Sequence, residues 1–247
     1  MISIIGSPIS PYVKKVLTLL NMKGVDFDVD PITPFYGNEK FSALSPLRRI
    51  PVFIDGDFIL NDSAVIAQYI EETWPTPTAL PKTPKQKAKA RWFEEFASSR
   101  MGNIFVWKCF VPMIVVPRVF GTEPNETEFQ KTLDTDVVDI MEYLEAHAPT
   151  NGFFVDTFGL ADISIAAMFR VMKYAHWTPC EKHWPKVCAW LARAEAEPSL
   201  ALATTWSDAM VKVRAEERRE VARKLGLALT PETLASKTPR RGPMTVV

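Results

Sequence analysis

The sequence predicts an α/β domain of order βαβαββα followed by an all-helical domain, on three observations. Short β-branched or alternating apolar runs occur before residue 61. From Lys85 onward the patterned segments carry the i, i+3, i+4 spacing of helices. Between the two, Trp74 to Pro84 contains Pro75, Pro77, Pro81 and Pro84, a density that supports neither helix nor sheet and marks a linker. A length of 247 residues suits two small domains. The expected division is 1–74, a linker 75–84, a helical domain 85–229 and a flexible tail 230–247.

Ile2 to Ile5 is a β-branched run closed by Gly6-Ser7-Pro8, and Pro11 to Lys23 places Val13, Val16, Leu17 and Leu20 on one helical face. Gly24 stops that helix, and Val25 to Val29 alternates as a half-buried strand. This βαβ unit has one strongly preferred hand. A short helix is expected near Glu39 to Leu44. Pro51 to Ile54 and Phe58 to Leu60 flank Asp55-Gly56-Asp57, a hairpin signal, and Asp62 to Thr73 carries Val65, Ile66, Tyr69 and Ile70 as a third helix. Beyond the linker, Lys85 to Phe105, Glu126 to His147, Leu160 to Trp177, His183 to Glu197 and Trp206 to Leu225 read as helices, with a kink or break at Pro112 and Pro117.

Composition excludes several classes. Basic and acidic residues both total 29, so no global field favours nucleic acid or an anionic membrane. The apolar run Phe105 to Val119 is interrupted by Lys108, Pro112 and Pro117, which argues against a membrane span. The N-terminus lacks the basic leader and long apolar core of a signal peptide, so a cytoplasmic location is expected. Three cysteines, an odd number at irregular spacing, fit free thiols in a reducing compartment. Cys180, His183 and Cys188 lack zinc spacing and a fourth ligand, so no metal is expected.

The chemistry centres on Ser10, placed before Pro11 at a helix start. Two readings stand side by side. As an N-cap, Ser10 contributes about 1 kcal/mol. The same position also suits a bound thiolate, because a helix N-terminus presents free N–H groups and partial positive charge. Lowering a thiol pKa by about two units requires roughly 2.7 kcal/mol of preference for the anion. One charge-assisted hydrogen bond of about 1.5–3 kcal/mol and up to about 1 kcal/mol from the helix terminus suffice together. A hydroxyl, unlike a cysteine, cannot form mixed disulfides. Ser7 is the alternative hydroxyl.

Ser7-Pro8-Ile9-Ser10-Pro11-Tyr12-Val13, Ser45-Pro46-Leu47-Arg48-Arg49-Ile50-Pro51-Val52-Phe53, Asp55-Gly56-Asp57 and Asn61-Asp62-Ser63-Ala64-Val65-Ile66 follow in an order and spacing that resembles the glutathione-binding domain of cytosolic glutathione transferases. Gly159-Leu160-Ala161-Asp162-Ile163-Ser164 resembles the hallmark of that family's helical domain. The resemblance covers roughly residues 1–205. It implies a thioredoxin-like first domain, glutathione as co-substrate and a homodimer. It also implies a cis bond before Pro51, an Ile50 backbone that meets the cysteinyl part of glutathione, and Asp62 and Ser63 at its γ-glutamyl end. Arg49 falls where many members carry a basic residue near the glycyl carboxylate. For Asp62 and Ser63 a plain helix cap with a first-turn polar group reads equally well; for Arg49 the plain reading is a solvated charge.

By the same resemblance, Trp107, Phe110, Val111, Met113 and Ile114 would line a pocket for a hydrophobic electrophile, although interior packing explains them as well. Three positions depart from the family pattern: Arg48 stands for a frequent glycine, Asp62 for glutamate, and Gly159 for the Ser or Thr of a capping box. The implied activity is conjugation of glutathione to a hydrophobic electrophile. Glutathione-dependent isomerisation or dehalogenation uses the same thiolate, and a non-catalytic interaction module uses the same fold.

Overall fold

The computed structural model describes residues 1–242 and divides into two compact units. The first holds Met1–Pro77 together with the chain from Ala201 onward, and the second holds Thr78–Leu200.

In the first unit the elements are β1 (Ile2–Ile5), α1 (Pro11–Lys23), β2 (Phe27–Asp30), α2 (Glu39–Leu44), β3 (Val52–Asp55), β4 (Phe58–Asn61) and α3 (Ser63–Thr73). The sheet order is β2-β1-β3-β4, with β2 parallel to β1 and the other pairs antiparallel. Ile4 lies opposite Val29 on one side and Phe53 on the other, and all three are fully buried. α1 buries Val13, Val16, Leu17 and Leu20, and α3 buries Ile66, Ala67 and Ile70; the two helices pack together. This is a thioredoxin-like arrangement, in the order the sequence predicts. The strand β2 begins two residues later than expected because Val25 and Asp26 are used in leaving α1, where Val25 N donates to Leu20 O at 3.1 Å.

The second unit is helical. Thr83 caps the helix that opens at Pro84 (α4, Pro84–Phe96), so Pro84 begins a helix where the sequence reading ends a linker. The chain then stays helical through Ala97–Val115 and on to Phe120, so of the kink or break expected at Pro112 and Pro117 no break occurs. The winding widens here: Val116 N donates to Val111 O, five residues back. A wider turn relieves the clash between a proline ring and the carbonyl of the preceding turn, which is how Pro112 is carried inside. By length and composition this is the one helix among the described residues suited to crossing a membrane. Its face bearing Phe105 and Phe110 instead packs on Leu160–Tyr174, with Phe105 5.7 Å from Phe169 and Phe110 6.2 Å from Tyr174.

The helix Leu160–Tyr174 is organised by Asp162, which is 1% exposed. Its carboxylate accepts from Phe154 N at 3.0 Å, Trp190 Nε1 at 2.7 Å and Gly159 N at 3.3 Å. Gly159, which departs from a capping Ser or Thr, has a positive use. A Cβ there would lie 2.3 Å from Ala79 O, and that carbonyl accepts from Leu160 N at 2.8 Å. A backbone carbonyl thus satisfies a helix-start donor that a side chain would otherwise serve.

Two expectations about the C-terminus are corrected. The helix expected over Trp206 to Leu225 is two helices, Pro198–Met210 and Arg218–Lys224. The stretch expected to be a flexible tail is tied to the first unit through residue 240, by bonds such as Asn38 N to Leu234 O at 2.8 Å and Arg240 N to Phe35 O at 2.7 Å. Residues 243–247 of that stretch lie outside the described residues.

Burial pushes the Asp162 carboxyl up from 3.8 to about 6, against the opposing pull of its backbone and indole donors. Between about pH 4 and pH 6 the folded chain therefore holds a proton that the unfolded chain has lost, and stability falls as pH rises through that window. The expected difference is about 2–3 kcal/mol. The unfolding free energy of the wild type minus that of Asp162→Asn, from urea titrations between about pH 4 and pH 7, should fall by this amount as pH rises; a pH-independent difference would refute it.

Candidate functional site

The site is assembled where the chain leaves β1, enters β3 and enters α3. Gly6 makes the first step possible. It has φ +148°, and a Cβ on it would lie 2.6 Å from Val13 Cγ2 and 2.9 Å from Ile50 Cβ. No side chain fits, so the backbone at the end of β1 lies directly against Ile50. Backbone bonds from Gly6 N to Asp30 O at 2.9 Å and Ser7 N to Ile32 O at 2.8 Å fix that loop against the end of β2.

Ser10 occupies the N-cap position of α1, at φ −64° and ψ 128°, but its hydroxyl caps no N–H of the helix. Its carbonyl accepts from Lys14 N at 2.9 Å, so the helix starts on the backbone alone, with Pro11 at the first position. The Ser10 side chain is partly exposed, whereas Ser7 is 1% exposed and receives Ile9 N on its own Oγ at 3.5 Å. Of the two hydroxyls, Ser10 is the one that is open.

Ile50-Pro51 is a cis bond, as the resemblance implies. Pro51 is buried and Ile50 is partly buried. The turn before it is built by Ser45, whose Oγ receives Arg49 N at 2.9 Å and donates to Arg49 O at 2.8 Å. Arg49 itself is exposed. Arg48 precedes it at φ +49°, the left-handed region that explains a frequent glycine at this position. Its guanidinium is 5.4 Å over the Phe41 ring and donates from Nη2 to Pro34 O at 3.0 Å and Gly37 O at 2.8 Å, and from Nη1 to Ser42 Oγ. The strained backbone therefore comes with a side chain that clamps the segment before α2.

Asp62 has φ +72° and caps α3, its Oδ1 accepting from Ala64 N at 2.8 Å and Val65 N at 3.3 Å. Of the two readings open for Asp62, the capping one is present; Oδ2 remains on the exposed side chain for an ammonium. Ser63, the first residue of α3, is buried.

Tyr12 is a neighbour that the sequence reading left out. It lies in the first turn of α1, two residues after Ser10, and is close enough to Arg49 and Asp62 to feel both charges. Burial, opposed by Arg49 and aided by Asp62, pushes its phenol up to about 12, so it stays a hydrogen-bond donor at neutral pH. The signal available in the sequence was a tyrosine in the first turn of the helix that Ser10 opens.

In the second unit, Phe110 and Val111 are buried while Trp107, Met113 and Ile114 are partly exposed. The proposed apolar set is thus split between interior packing and reachable surface. Cys188 Sγ donates to Pro179 O at 3.6 Å, and burial pushes its thiol up; Cys180 is exposed.

A family model for the N-terminal domain of glutathione S-transferase matches residues 4–78, and one for the C-terminal domain matches residues 105–198. Glutathione S-transferase 3 of Zea mays is 29% identical over 201 residues, spanning 78% of this chain and 89% of that protein. Among solved structures, a glutathione S-transferase from Rhodospirillum rubrum F11 is similar at TM-score 0.74 and 22% identity, over 82% of this chain and 91% of that one. FzlA from C. crescentus is similar at TM-score 0.75 and 18% identity, over 93% and 96%.

Gly6→Ala should destabilise the chain by about 1–3 kcal/mol through overpacking against Val13 and Ile50. The denaturant midpoint measures it. A midpoint equal to the wild type would show that Gly6 does not hold the loop and Ile50 together.

Proposed function

We propose that this chain, which belongs to the glutathione S-transferase family, conjugates glutathione to a hydrophobic electrophile with Ser10 as the thiolate partner. The observation that carries this reading is the uncommitted hydroxyl of Ser10 at the start of α1, four residues after the point where the backbone at Gly6 lies against Ile50. A hydroxyl that caps nothing is available to donate to a bound sulfur anion, and the N-terminus of the 13-residue α1 adds its field.

In this reading the backbone of Ile50 aligns the cysteinyl part of glutathione so that its sulfur faces Ser10. Arg49 attracts the glycyl carboxylate, and the Asp62 Oδ2 with Ser63 receives the γ-glutamyl end. Ser10 Oγ–H donates to the sulfur once the thiol proton has left to solvent. The thiolate then attacks the electrophile, forming a carbon–sulfur bond as the electrophile's electron pair moves to its leaving group or acceptor atom. The rate gain comes from a larger thiolate fraction and from proximity. Trp107 and Ile114, partly exposed, with Phe110 and Val111 behind them, are proposed as the apolar surface for the electrophile. No metal enters this mechanism. The proposed setting is a cytoplasmic homodimer.

One observation favours a second reading. The Asp62 carboxylate is engaged by its own helix through Oδ1 and is shorter than the family's glutamate, which weakens the grip on an ammonium. A glutathione transferase fold used for assembly instead of catalysis fits that feature.

Ser10→Ala should lower turnover with a model aromatic electrophile by about 10²-fold, the scale of losing one donor to a developing or bound anion. Its glutathione affinity by calorimetry should stay within about threefold of the wild type, and the ultraviolet thiolate band should disappear. Unchanged turnover sinks the role of Ser10. A wild type that binds no glutathione at millimolar concentration moves the chain to the second reading.

A further inference from the structure

The strongest unexplained feature of the first unit is how much of it is held by residues far along the chain. Asp30, at the end of β2, is fully buried. Its Oδ1 accepts from Arg219 Nη1 at 3.0 Å and Thr233 Oγ1 at 3.0 Å, and its Oδ2 accepts from Leu234 N at 2.6 Å. A buried carboxylate stripped of its donors is strongly destabilising, so the chain around 219–234 is tied to this point.

From there the segment runs along the limb between β2 and α2. Val29 N donates to Ala228 O at 2.9 Å and Thr230 N to Val29 O at 3.3 Å, so Leu229 pairs in parallel at the free edge of β2. Ala235 pairs with Gly37, Asn38 N donates to Leu234 O, and Arg240 N donates to Phe35 O. The carbonyls of Pro34 and Gly37, in that same limb, receive the Arg48 guanidinium. Leu234 packs with Leu44 and Ile50 on the cluster of Ile5, Ile32, Phe41 and Val52. Residues 33–38 are thus held by the C-terminal segment and by Arg48 together, and Arg48 and Ile50 flank the turn that would meet the ligand.

We infer that residues 228–240 act as a latch on the ligand site: docked, they hold the 33–38 limb, Arg48 and Ile50 in binding geometry, and released, they let the limb loosen and affinity fall. The inference rests on the reading of Ile50 and Asp62 as glutathione contacts. The outer contacts of the segment, such as Lys40 with Glu232 at 3.1 Å, are solvent-exposed, which suits a segment that opens locally before the sheet does. Coupling of this kind is reciprocal, so ligand binding must also tighten the segment.

The test uses the full chain and two variants, Leu234→Ala and the milder Thr233→Ala, read by amide hydrogen exchange and by glutathione calorimetry. Both variants should speed exchange in 229–240 and in 33–44, and weaken glutathione binding by about 5–20-fold. In the wild type, glutathione should slow exchange in 229–240. If Leu234→Ala does not fold, Thr233→Ala alone decides. Faster exchange in 229–240 with both the 33–44 exchange and the affinity unchanged overturns the latch. If the wild type binds no glutathione, the functional reading fails separately, and the latch is judged on 33–44 exchange alone, where no change overturns it.

Discussion

The contact on which the first unit depends is the close approach of the backbone at Gly6 to Val13 and Ile50. β1 ends there, and the chain must turn into a loop that touches the end of β2, the start of α1 and the turn before β3 within four residues. Any Cβ at residue 6 would push the end of β1 away from Val13 and Ile50. The sheet order places β1 between β2 and β3, so its end is the one place from which a single loop reaches both neighbours. Topology and one missing side chain therefore decide which residues converge.

The two helix starts at this end of the sheet solve the same physical problem differently. Both α1 and α3 leave backbone N–H groups without intrahelical partners. α3 satisfies two of them with the Asp62 carboxylate, and the φ of +72° is the cost of aiming it. α1 opens with Pro11, which removes one donor, and leaves the Ser10 hydroxyl out of the cap. A side chain at a helix start that does not cap is the unusual one of the pair, and it leaves the Ser10 hydroxyl uncommitted to its own helix while Asp62 Oδ1 is engaged by α3.

Local signals carried most of what the sequence could say. α2 spans Glu39–Leu44 as read, and α1 spans Pro11–Lys23, because periodicity and the punctuation of Pro and Gly act within a turn or two. The cis Ile50-Pro51 bond was legible through family resemblance, not through spacing. Pro112 does not end its helix, since a proline that breaks a tightly wound helix is carried by a wider turn, and the choice of winding leaves no signal in the local sequence. Arg48 looked like a loss of glycine, whereas its guanidinium adds three bonds that only the folded limb defines. The segment after Thr230 has no period at all: its order comes from backbone bonds to residues about 200 positions earlier, which leave no trace in local sequence.

Each unit is built around a buried carboxylate, and the two are satisfied in different ways. Asp162 accepts from neutral donors, the indole of Trp190 and the backbone N–H groups of Phe154, Gly159 and Asp162 itself, all in its own unit. Neutral donors stabilise an anion less than a cation does, so desolvation wins and the group holds its proton to about pH 6. Asp30 instead receives a guanidinium, and that cation comes from Arg219, 189 residues along the chain. A charge compensated by a distant segment makes the segment part of the sheet's own stability. Solvating the β2 end alone exposes the carboxylate to an unmade set of bonds, and release of the segment carries the same cost, which sets the free energy of its opening. Sequence distance, which usually makes a C-terminal stretch dispensable, here measures how far the chain returns to neutralise one buried charge.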